Sequence, residues 1–206
     1  MAGLLSNFRN TMILSVFLAL IMIGAYSQSP HGMDITFWQA VFRWMHVVFG
    51  ILWIGLLYYF NFVQIRVMPA IPAELKPAVS KYVAPEALFW FRWAALFTVL
   101  AGLGLAGTRG HEYMAKVFTF GFAGGYGPDD KGYTLMGIGI YLALIMFLNV
   151  WGVIWPNQKI ALGIKEADAD AKAKAARIAM LASRTNTLLS LPMLTSMAMF
   201  QTLYGG

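Results

Sequence analysis

A chain of 206 residues that is 59% hydrophobic and 12% charged, with mean hydropathy +0.64, carries half the charge of an ordinary water-soluble domain. Its apolar residues come in long blocks, more than one soluble core of this size can bury, which excludes a soluble enzyme, a nucleic-acid module and a disordered tail. The net charge of +6 lies mostly between the blocks, where it reads as a topology signal and not as a nucleic-acid footprint.

Taken in order, the blocks predict an all-α, polytopic helix bundle: a single transmembrane domain over 1–206 with the lipid bilayer as its first partner. The first membrane helix is expected over about 12–27. Arg9 ahead of an apolar run resembles a signal peptide, but Gly24-Ala25-Tyr26-Ser27 is only a fair cleavage site, so the segment is read as a retained span. The second span covers about 37–63, interrupted by Arg43 and His46. The following loop holds Pro69, Pro72, Pro77 and Pro85, whose spacing allows at most short helices. A third span covers about 87–107, with Arg92 near its start and the small-residue run Ala101–Gly107 near its end. Residues 118–127, with four glycines, are too short to span and suit an interfacial or re-entrant segment, or a loop with buried aromatics. Asp129-Asp130 reads as a turn. The fourth span covers about 133–155. Residues 163–184 form an alanine-rich, charged helix with Asp168–Lys172 and Asp170–Lys174 at four-residue spacing, expected to be exposed at the cytoplasmic surface. The fifth span covers about 185–204, with Pro192 placed to kink it.

Orientation follows from the basic residues. With the N-terminus in the cytoplasm, Arg9, Arg66, Lys76, Lys81, Arg92, Lys159, Lys165, Lys172, Lys174, Arg177 and Arg184 fall on the cytoplasmic side, and only Arg43, Arg109, Lys116 and Lys131 on the other. That bias predicts an external C-terminus and gathers His31, His46 and His111, all the histidines, at or near the external face.

Ionisable groups inside membrane helices are costly and direct attention to function. Arg43 and His46 are three residues apart and share a face with Gly50. Neutral imidazole suits non-covalent haem b, with His111 or His31 as a second ligand and Arg43 or Arg109 for the propionates. The plainer alternatives are snorkelling of Arg43 to the headgroups and an interhelical hydrogen bond at His46. Gly50, Gly55 and Gly102 are read as close-packing positions, and Asn149 as an interhelical polar link. With no cysteine, c-type haem attachment, an iron–sulfur cluster and disulfides are excluded. The chain carries no paired membrane carboxylates, phosphate-binding glycine loop or nucleophilic triad.

The stretch Arg43-Trp44-Met45-His46-Val47-Val48-Phe49-Gly50-Ile51-Leu52-Trp53-Ile54-Gly55, followed by Tyr58-Tyr59-Phe60-Asn61-Phe62-Val63-Gln64, resembles the membrane domain of the bacterial membrane-bound urate oxidase (urate hydroxylase) family. Pro85–Trp93, Asn149–Lys159 and Ala182–Thr187 add to that resemblance, which is spread over most of residues 40–195. The resemblance implies a bacterial inner-membrane protein tied to electron transfer, with Arg43 and His46 carried over from the family's histidine motif. Enzymatic members are longer and end in a cytochrome c domain, so this chain resembles a short stand-alone form. Two roles follow: a haem b protein that passes electrons to a separate cytochrome, or a non-catalytic accessory subunit of a larger membrane complex.

Overall fold

The computed structural model of the chain describes residues 2–30, 32–124 and 130–204; His31 and Asp129 lie outside them. Helix α1, Phe8–Tyr26, begins at Asn7, whose side chain accepts from the Asn10 amide. Helix α2, Ile35–Tyr58, is capped by Asp34, which accepts from the Phe37 N–H at 3.0 Å and satisfies one orphan donor of the first turn. It runs on through a π-helical turn, Tyr59–Gln64, into Ile65–Val67 and a 3-10 turn, Met68–Ala70. A second π-turn, Val79–Val83, leads into α3, Ala84–Gly107. Helix α4, His111–Phe118, is short. Helix α5, Asp130–Asn149, continues through a third π-turn, Val150–Ile154, into α6, Trp155–Ala161. Helix α7, Ala169–Leu203, starts at the Asp168 cap. Among the described residues no strand occurs.

Among the described residues, four helical segments are long and apolar enough to cross a membrane: Phe8–Tyr26, Ile35–Ala70, Lys76–Gly107 and Lys131–Ala161. The last three extend well past the expected spans; the 36 residues of Ile35–Ala70 rise about 54 Å against a hydrocarbon core of roughly 30 Å. Pro72 lies in the non-helical stretch between Ala70 and Lys76, whereas Pro69, Pro77, Pro85 and Pro156 each stand at N1 or N2 of a helical segment, where no intrahelical N–H is needed.

One expectation is corrected. Residues 163–184 do not form a separate surface helix ahead of a fifth span; from Ala169 both lie on one continuous 35-residue helix, and Pro192 does not divide it. The reason is an unbroken buried stripe, Ala175, Ala179, Ser183, Asn186, Ser190, Met193, Ser196 and Phe200, at spacings of three and four. The charged residues of the first half occupy the other faces.

The core is built by α2, α3, α5 and α7 around Trp53, Leu57, Phe91, Ala95, Met146 and Val150, with Phe60 edge-on to Phe91. Polar links tie α7 into this apolar setting. Asn149 Nδ2 donates to Asn186 Oδ1 at 2.7 Å and to the Ala182 carbonyl at 2.8 Å, and Asn186 Nδ2 donates to the Met146 carbonyl at 3.0 Å. Tyr58 and Ser190 share a hydroxyl–hydroxyl bond, and Ser196 donates to the Leu135 carbonyl. Helix α1 stands apart, with none of its residues buried.

Candidate cofactor site

Helices α2 and α3 run antiparallel, and two glycines of α3 receive two side chains of α2. A Cβ at Gly104 would lie 2.6 Å from the Phe42 ring, and one at Gly102 would lie 2.9 Å from His46 Nδ1 and Cε1. The Nδ1–Cε1 edge of the imidazole therefore lies against Gly102, a position open only because residue 102 has no side chain. From there His46 Nδ1 meets the Thr98 carbonyl at 2.8 Å. A carbonyl can only accept, so Nδ1 carries the proton. In the neutral ring Nε2 then presents a lone pair, and among the described residues no hydrogen bond is made to it.

The other residues named from sequence fall as follows. Gly50 continues the same line one turn on, where a Cβ would be in ordinary contact, 3.8 Å, with the Thr98 methyl. Gly55 is corrected: nothing lies within 4 Å of its Cβ position, so it is not a close-packing site. His111 is exposed at the first position of α4. It comes after the end of α3, whereas His46 packs on Thr98, ten residues or about 15 Å of helical rise before Thr108. The two histidines are thus not assembled as a ligand pair, and among the described residues no group of three or more metal-binding side chains forms.

Arg43 and Arg109 do converge. The Arg109 guanidinium lies 5.0 Å from the centre of the Tyr113 ring and 5.7 Å from that of Phe200. Arg43 is close enough for its charge to act on the same phenol. Burial pushes the Tyr113 phenol above its ordinary pKa, and the two arginines oppose that rise. Neither arginine has an ion-pair partner among the described residues, whereas Lys116 is held by Glu112 at 2.8 Å, which keeps the Glu112 carboxyl below its usual range.

No family model, curated protein or solved structure matches the chain. The site therefore rests on its own geometry.

Sequence reasoning missed α4 and with it Tyr113 and Tyr133, which meet edge-on with ring centres 5.9 Å apart. The Glu112–Lys116 spacing was the available signal. It also missed that the carbonyl of Thr98, on a different helix, fixes the histidine tautomer. A cavity of about 310 Å³ between α1 and α2 is lined on the α2 side by Phe37, Ala40, Val41 and Trp44. By helical periodicity that is the face of α2 opposite His46, so this space does not belong to the histidine.

Proposed function

We propose that this chain is a bacterial inner-membrane haem b protein of the urate oxidase membrane-domain type, in which His46 Nε2 is the protein's ligand to the iron. The observation that carries the reading is the proton on Nδ1: metal-binding histidines characteristically donate their other ring N–H to a carbonyl or carboxylate, which fixes the ring and raises its basicity. Gly102 holds the ring in place, and Arg43 and Arg109, which have no ion-pair partner among the described residues, supply positive charge toward the same end of the bundle for the propionates. Haem b, when bound, supplies one-electron chemistry. Thr98 orients the ligand, Tyr113 orients Arg109, and the surrounding apolar helices limit water. With a single histidine in place, any further ligand to the iron would have to come from an external group or a partner.

The same reading takes α7 as the fifth span, the N-terminus as cytoplasmic and the C-terminus as external, following the distribution of basic residues. Its test is the absorption spectrum of protein purified from haem-replete cells. A Soret band with a b-type pyridine haemochrome is expected, while a colourless, folded preparation would overturn the reading.

Helix α1 favours a second role, that of an accessory subunit, because it is apolar along its length yet buries no residue against its own bundle. Extraction in mild detergent should then yield a larger complex that is lost when residues 1–30 are deleted. A lone monomer from the intact chain would contradict this.

A further inference from the structure

Helices α1 and α2 leave a cleft of about 310 Å³ between them. It begins at the turn that joins them and runs inward along both. The mouth is polar: Tyr26 closes α1, Ser29 lies in the turn, and Thr36 stands in the first turn of α2. The body is apolar, with Ala19, Met22 and Ile23 on one wall and Ala40 and Val41 on the other. Among the described residues no charged side chain lines it. The walls do not close because α1 is not packed on the bundle: none of its residues is buried, and nothing lies within 4 Å of the Cβ position at Gly24.

In a bilayer such a gap is costly. Membrane helices associate largely through van der Waals contact, and an empty slot forfeits that contact on both walls. Shape and polarity identify what fills it. From Tyr26 to Ala19 the slot follows about 10 Å of helical rise, which for 310 Å³ gives a mean cross-section of about 30 Å². A helix about 10 Å across needs about 80 Å², so the span of a partner or of a second copy does not enter. Water needs several polar partners, and the body of the cleft offers none. A single hydrocarbon chain satisfies both the width and the walls. The polar mouth, at the end of two membrane helices, lies at the level of the lipid interface, where a tail meets its ester group.

We infer that one acyl chain of a phospholipid, from the leaflet at the α1–α2 turn, fills this cleft and seats α1 against α2. The hydroxyls of Tyr26, Ser29 and Thr36 donate to its ester oxygens. With no charge along the cleft, the tail and ester are recognised and the headgroup is not. The inference rests on α1 being a membrane span. It involves neither His46 nor the arginines, so a protein without haem leaves it standing.

The test uses the full chain in nanodiscs of equal phosphatidylethanolamine and phosphatidylglycerol, released into mild detergent for native mass spectrometry. One phospholipid is expected to stay on each chain, drawn from both headgroups in the proportion supplied. Ala40→Phe, at an exposed position on the cleft wall, should lower the retained fraction at least tenfold in a folded protein. Ile51→Phe, on the exposed surface of α2 outside the cleft, should leave it unchanged. The intact mass in the same spectrum separates two failures. A chain cleaved near residue 30 would overturn the span and the cleft with it. An intact chain with no retained phospholipid, retention of one headgroup alone, equal retention in the two variants, or a second copy of the chain in place of the lipid would overturn the inference itself.

Discussion

At the His46 end of the bundle, glycines bring helices into direct contact. Gly102 and Gly104 accept His46 and Phe42, Gly139 lies against Met197 and Ser196, and a Cβ at Gly137 would lie 2.5 Å from the Val117 carbonyl oxygen. At the other end the same helices are wound into π-turns and alanine lines α7, and a cavity of about 240 Å³ opens among α2, α3, α6 and α7, whereas the cavity of about 310 Å³ at the first end lies between α1 and α2. The contrast teaches that one bundle can spend close packing on fixing a ring and loose winding on leaving a cavity.

The sharpest way to break this contrast is to enlarge one side chain at each end. Gly137→Ala meets backbone, which cannot swing aside, and should cost about 1–3 kcal/mol, measured by unfolding in mixed detergent micelles. Ala176→Phe, at an exposed position on the cavity rim, should stay within about 0.5 kcal/mol of the parent. Equal losses would erase the distinction between a packed and an open end. Between the two ends, Asn186→Ala removes the acceptor for Asn149 and the donor to Met146. At an average of about 0.6 kcal/mol per membrane polar link, it should cost roughly 1 kcal/mol. A loss several-fold larger would make the amide pair the keystone of the bundle.

Smallest is the effect of Tyr113. Its phenol is raised by burial, so the folded state holds the proton more tightly than the unfolded chain. That contribution is complete below the ordinary value of about 10 and is lost as pH rises through the folded value. In a tyrosinate absorbance titration, Tyr113→Phe should remove a late phase at high pH. If it removes an early one, Arg109 and Arg43 outweigh burial and the basic cluster is stronger than described.

The apolar helices were legible because each is a run with few charges: the blocks near 12–27, 37–63, 87–107 and 133–155 are all present as helix. Their excess length was not legible, because Pro69, Pro77 and Pro85 read as breakers and only their first-turn positions make them compatible with helix. The join across residue 184 was hidden for a related reason. Charge density changes there, but the buried small-residue stripe from Ala175 to Phe200 does not, and the stripe determines packing. His46 could be singled out from sequence as an ionisable group in an apolar block. Its tautomer could not, since it depends on a carbonyl 52 residues away.

The central claim is that His46 Nε2 is a free ligand held in place by Thr98 and Gly102. It is tested most directly by ligand rescue. Protein carrying His46→Gly, purified from haem-replete cells, should lack the Soret band of the parent, and added imidazole should restore it, whereas His111→Ala should keep it. A parent without haem, or a Soret band unchanged in His46→Gly, would contradict the account.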